Sequence, residues 1–163
     1  MDSAYNERHA QCDAAARAFG IRALRDVGID QFEREKGKLD GTTMRRARHV
    51  VTENARVLEA VQAMRAEDAA ALGRLFDESH ASLREDFQVT SEALDLMVEI
   101  ARSHPGCFGA RMTGAGFGGC AVAVVRQVQA EVFANEVGVE YQRRSGRQAE
   151  MFICEASAGA SLQ

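Results

Sequence analysis

Four glycines fall within six residues, Gly114, Gly116, Gly118 and Gly119, inside the string RMTGAGFGGC that runs from Arg111 to Cys120. Each glycine costs backbone entropy on folding, so such density needs a reason. Two reasons are available. Glycines let a tight turn between strands take positive φ angles. They also let backbone N–H groups close on an anion and cradle phosphate oxygens. Gly114, Gly116 and Gly119 satisfy the spacing G-x-G-x-x-G, but a dinucleotide fold requires that loop to open a helix. Here it leads into the apolar, β-branched run from Cys120 to Val125, and no Gly-Lys-Ser/Thr follows. The dinucleotide and P-loop readings both fail. Spacing alone leaves a plain tight turn or a phosphate-contacting loop.

Other polar side chains carry weaker signals. Tyr5 could donate to and accept from a sugar hydroxyl, or simply lie half-buried on a helix. His49 and His80 fall in helical stretches, where a histidine is more often packed or bonded than catalytic. Ser79 and His80 are not a nucleophile and base, because adjacent helix residues do not face each other. Arg111 flanks the glycine loop and is read as paired with an acidic neighbour or solvated. Cys12, Cys107, Cys120 and Cys154 form no Cys-x-x-Cys pair and have no histidine at metal-ligand spacing, so they read as buried free thiols.

These residues need elements to hold them. Ser3–Ala18 reads as a helix capped by Asp2 or Ser3 and ended at Gly20. A short helical stretch, 24–35, follows. Thr43–Glu67 shows Val50, Val57, Val61 and Met64 at helical spacing, with Leu58 widening the stripe and Asn54 on the same face. Asp68–Phe87 repeats the pattern with Leu72, Phe76, Leu83 and Phe87, interrupted by Ser79 and His80. A helix capped by Ser91 or Thr90 carries Leu94, Met97, Val98 and Ala101 and stops at His104-Pro105-Gly106. The period then shortens. Cys107–Thr113 and Cys120–Arg126 read as strands joined by the glycine loop, Val128–Arg144 as a helix with Val132, Phe133, Val137 and Tyr141 on one side, and Ala149–Glu155 as a last strand. Residues 156–163 read as a frayed tail. The chain is therefore expected to form one domain over 1–163, mainly helical over 1–105 and strand-strand-helix-strand over 106–155. That is an α+β fold, helices packed on an antiparallel sheet, in a ferredoxin-like order lacking its first strand. The missing strand would lie upstream of Met1, leaving an edge or face that invites self-association.

Composition narrows the function classes. The 163 residues are 46% apolar and 27% charged, the balance of a globular chain. A formal net charge of -4 argues against nucleic-acid binding. No signal peptide is expected in the polar start, and the longest apolar run, Cys120–Val125, is far short of the ~20 residues of a membrane span. No membrane association is expected, and the location expected is the cytoplasm.

The wording of four separated stretches adds a resemblance. GARMTGAGFGGCAVAVV, Gly109–Val125, resembles the third signature of the GHMP small-molecule kinases in its galactokinase form. SAYNERHAQC at Ser3–Cys12, RARHVVTEN at Arg46–Asn54 and ESHASLREDFQV at Glu78–Val89 also resemble galactokinase segments, as does the end, Cys154–Ala160. The likeness covers nearly the whole chain and only the C-terminal domain of that family. It implies transfer of the γ-phosphoryl of Mg-ATP to the C1 hydroxyl of galactose in a cleft between two domains. It implies that Tyr5 touches the sugar and that Gly114, Ala115, Gly116, Phe117, Gly118 and Gly119 shape the floor beside the transferring phosphate. The family's Gly-Glu-His-Thr-Asp-like sugar motif, serine-rich phosphate loop and catalytic aspartate have no counterpart here. No catalytic residue and no metal ligand is therefore assigned to this chain, ATP and Mg2+ would be held mainly by the other half, and the chain alone is expected to be inactive. Two alternatives keep the fold: a galactokinase-like sugar-sensing protein without kinase activity, and a kinase for N-acetylgalactosamine or arabinose. A third, a ferredoxin-like interaction module without a ligand, fits the four stretches least.

Overall fold

The computed structural model describes residues 2–156, with side chains from Ala4 onward. Helices α1 (Asp2–Ala18), α2 (Ile29–Glu35), α3 (Gly41–Arg65), α4 (Ala69–Ser82) and α5 (Glu92–Ser103) precede strands β1 (Cys107–Thr113) and β2 (Cys120–Val125), and α6 (Ala130–Ser145) follows. The helix starts have local causes. The Asp40 carboxylate accepts from the amides of Thr42 and Thr43 at 2.9 and 3.1 Å, Asp68 accepts from Ala71 at 2.9 Å, and Ser91 from Leu94 at 3.4 Å. Each satisfies an amide that the first helical turn leaves without a partner. The cap expected of Asp2 or Ser3 concerns side chains outside the described residues, as does the tail after Ala156.

β1 and β2 form an antiparallel hairpin from Thr113↔Cys120 back to Cys107↔Val125, irregular between Cys107 and Gly109. α4 and α5 pack on β1, and α6 packs on α5. The α4–β1 contact is backbone against backbone. A Cβ at Gly109 would stand 1.9 Å from the Gly73 carbonyl oxygen, and one at Gly73 would stand 2.1 Å from that of Phe108. One apolar cluster joins α1, α2 and α3 through Ala15, Ala16, Phe32, Ala47 and Val51. A second joins α5, α6 and the hairpin through Val98, Ala110, Phe133, Val137 and Tyr141. A third, Leu83, Val89, Leu94 and Met112, lies beneath the glycine loop, with Phe117 packed on it.

The fold class is the α+β layout expected of the sequence, helices against an antiparallel sheet, and both strands of the hairpin stand where their apolar runs place them. Four details differ. Residues 147–156 form no strand, so the last strand expected over Ala149–Glu155 is absent and the described sheet has two strands. Met151 still packs on the second cluster, whereas Phe152 is 80% exposed. The segment has an inward residue but no ladder partner. On α3 the expected stripe faces outward at Val57, Leu58 and Met64, and the buried face is built from Thr43, Arg46, Ala47, His49 and Val51. The long helix expected to Phe87 stops at Ser82 and continues as a π-helical turn, Leu83–Phe87. The cysteines are free, but Cys12 and Cys107 are only half-buried and Cys120 and Cys154 are exposed.

Candidate functional site

The glycine loop caps the β1–β2 hairpin. Gly114, Gly116, Gly118 and Gly119 all take positive φ, from 85° to 141°, and Phe117 joins them at 60°. The density of glycine is thus a conformational requirement. Its two sides differ. At Gly114 and Gly118 an added Cβ would meet nothing within 4 Å, so the outer side is open. At Gly116 it would stand 2.3 Å from the Val89 carbonyl oxygen, so the inner side is pressed against the chain after the π-helical turn. The Phe117 amide donates to that same Val89 oxygen at 2.6 Å. That N–H is engaged inside the protein and is not offered to an anion.

Tyr5 lies on the second turn of α1, 59% exposed, with no hydrogen-bond partner among the described residues. Arg8 stands one turn later on the same face. Its guanidinium carbon lies 6.0 Å from the centre of the Phe117 ring, and its Nε donates to the Phe87 carbonyl at 2.7 Å. Arg8 therefore joins the helix of Tyr5 to the glycine loop.

Beneath the loop runs a polar interior. Arg111 Nη1 pairs with Glu53 Oε1 at 2.9 Å, as expected of an arginine with an acidic neighbour, and Ser79 Oγ donates to the same oxygen at 2.6 Å. Burial of Glu53 opposes its ionisation, yet bonds from Ser79 and Arg56 outweigh that and hold its carboxyl below the usual range. His80 Nδ1 accepts from the Met112 amide at 3.2 Å, while Nε2 stands 3.2 Å from Asp95 Oδ1. His49 Nδ1 stands 3.0 Å from Ser82 Oγ, and its ring stacks on Phe87. Burial pushes the His49 pKa down to about 4 and lowers that of His80 as well. Both are packed, neutral histidines rather than bases facing solvent. Among the described residues no three His, Cys, Asp or Glu side chains cluster to hold a metal ion.

A family model described as "GHMP kinases C terminal" matches residues 60–142, a stretch that includes α4, α5 and the whole glycine hairpin. The chain belongs to the GHMP kinase C-terminal family. Within it, the chain is 48% identical over 162 residues to a galactokinase of Roseiflexus sp. (strain RS-1), covering 96% of this chain and 41% of that protein. A galactokinase of Mannheimia succiniciproducens is 47% identical over 97% of the chain and 42% of its own length. The solved structure of Lactococcus lactis galactokinase complexed with galactose superposes with a TM-score of 0.85 at 38% identity, covering 90% of this chain and 39% of that one. The chain spans about two fifths of the length of the relatives it matches. In this GHMP kinase domain the residues missed by the sequence reading are Arg8, Arg46, Asp86 and Val89, which frame the loop from below. Apolar periodicity cannot signal them, since three are polar and the fourth acts through its carbonyl.

Proposed function

We propose that this chain is the C-terminal part of a galactokinase, which transfers the γ-phosphoryl of ATP to the C1 hydroxyl of galactose, and that it does not complete the reaction alone. The observation that carries this reading is near end-to-end similarity to galactokinases, combined with a glycine loop whose outer side is open. Tyr5 would bond a galactose hydroxyl. Its phenol can both donate and accept and has no partner within the described chain. Gly114, Ala115, Gly116, Phe117, Gly118 and Gly119 would border the phosphate being transferred. ATP supplies the phosphoryl group, and what this loop contributes is position, on which phosphoryl transfer depends. Mg2+ would be held mainly by the other half, as the likeness to galactokinases implies. The protein would work in the cytoplasm, and no helix of the described chain is long and apolar enough to cross a membrane. Taken by itself, the chain would self-associate through the sheet.

The test is phosphorylation of galactose by ATP, followed by phosphorus NMR, with the product of the complete gene and with this chain alone. Galactose 1-phosphate is expected from the first and not the second. Tyr5→Phe should weaken galactose binding by about 0.5–1.5 kcal/mol, the net worth of one hydrogen bond. Gly116→Val should reduce kcat sharply and also lower stability, since a side chain there meets the Val89 carbonyl. A gene product that binds galactose and ATP without turnover would point to the sugar-sensing alternative. One that prefers N-acetylgalactosamine or arabinose would change the substrate.

A further inference from the structure

The backbone of the glycine loop meets one carbonyl, that of Val89, and the chain leading to Val89 is held in an unusual way. The π-helical turn Leu83–Phe87 ends at Gln88, a non-glycine residue in the left-handed region (φ 56°, ψ 54°). A helix end leaves carbonyl oxygens without intrahelical partners. Here three successive ones are taken by arginines from other elements. The Asp86 carbonyl accepts from Arg46 Nη1, that of Phe87 from Arg8 Nε at 2.7 Å, and that of Gln88 from Arg8 Nη2 at 3.1 Å. Arg46 also donates to Gln88 Oε1 at 2.7 Å and, across to α1, to Gln11 Oε1 at 2.9 Å.

Arg46 is 3% exposed, and these bonds all end on neutral oxygens. Burying a guanidinium against uncharged acceptors is costly, and an apolar side chain would glue the helices together at less expense. What an apolar side chain could not do is fix the directions of three consecutive peptide groups. The next peptide places the Val89 oxygen, which receives the Phe117 amide and leaves no room for a side chain at Gly116.

We propose that Arg8 and Arg46 are positioning residues that fix the Val89 carbonyl and thereby couple the placement of the glycine loop to helix α1, which carries Tyr5. The functional half of this inference rests on the galactokinase reading above, and the structural half does not.

The experiment compares wild type, Arg8→Met and Arg8→Lys in the product of the complete gene, with Arg46→Lys as a second site. Amide hydrogen exchange is read at Phe117 and along β1, together with galactose kinetics. Arg8→Met is expected to speed exchange at Phe117 about tenfold, the factor carried by roughly one net hydrogen bond, while β1 amides stay protected. kcat should fall by a similar factor with the galactose KM within about twofold, since the loop would act on the transition state rather than on sugar binding. Arg8→Lys, which keeps the charge and one donating nitrogen, should recover part of both effects. Unchanged exchange at Phe117, or a rise shared equally by β1, overturns the proposal, because the arginines would then be general stabilisers. Local exchange that rises in Arg8→Met when the wild-type gene product itself lacks kinase activity sustains the coupling and removes the galactokinase reading instead.

Discussion

The two edges of the small sheet are finished in opposite ways. Along β1 the amides of Ala110 and Met112, which point away from β2, are taken by Asp77 Oδ1 at 3.0 Å and His80 Nδ1 at 3.2 Å, two residues one turn apart on α4. The helix lies so close that only glycine fits at 73 and 109. An edge that would otherwise template another strand is closed by side chains. Along β2 nothing comparable is found among the described residues. Val122 is 41% exposed, and residues 147–156 run without joining the ladder. The contrast teaches that one edge is closed by side chains of this chain while the other is left without such partners among the described residues.

Breaking the closed edge should have the largest effect. Gly109→Val sets a side chain into the Gly73 carbonyl, with backbone on both sides and nothing flexible to yield. A loss on the order of 4 kcal/mol or more in urea unfolding is expected, and a mutant as stable as wild type would show that α4 is not tightly docked. Acid should loosen the same edge. His80 must stay neutral to accept from Met112, and burial lowers its pKa; burial also holds His49 at about 4. Folded values below the unfolded one mean that the stability contribution is complete above about pH 6.5 and is lost as pH falls through the folded values. His49 alone corresponds to roughly 3 kcal/mol between pH 7 and pH 4, and His49→Gln should flatten the curve of urea midpoint against pH. A curve equally steep in the mutant would assign the acid loss elsewhere.

Asp77→Ala should cost about 1–3 kcal/mol by orphaning the Ala110 amide, measured again by urea, with Gly109→Val as the upper bound. The smallest change in stability is expected at the open edge. Ala123 pairs with Ala110, whose amide faces α4, so antiparallel alternation turns the Ala123 amide outward as well. Ala123→Pro removes that outward donor at no ladder bond. It should turn a concentration-dependent sedimentation profile into a monomeric one with little change in thermal midpoint. A wild-type chain that sediments as a monomer throughout a dilution series would falsify self-association through β2.

What the sequence made legible follows from which forces write regular patterns. The hairpin and α5 could be placed closely, because β-branched runs, glycine punctuation and a Ser91 cap are local signals. The buried face of α3 could not, because Arg46 and His49 are interior through bonds to residues 33 to 42 positions away, and periodicity counts only apolar side chains. The outward stripe of Val57, Leu58 and Met64 misled for the same reason. The last strand was overread because alternation in 149–155 describes a face to bury, whereas a ladder needs a neighbouring backbone. At the site, the glycine loop was plain in the sequence. The arginines beneath it were not, since their role is defined only once α1, α3 and the π-helical turn meet.

The π-helical turn has a consequence for how relatives diverge. A π turn holds one residue more than an α turn, so Leu83–Phe87 behaves as an absorbed insertion. Deleting one residue there would let the segment relax to an α-helix, and everything beyond would swing by about 100° about the helix axis. The carbonyls of Asp86, Phe87 and Gln88 would then turn away from Arg8 and Arg46 with no side chain changed. This geometry predicts that length is constrained more tightly than composition in this part of the chain. An alignment that opens a single-residue gap between Ser82 and Val89 should mark a protein whose glycine loop is hung differently.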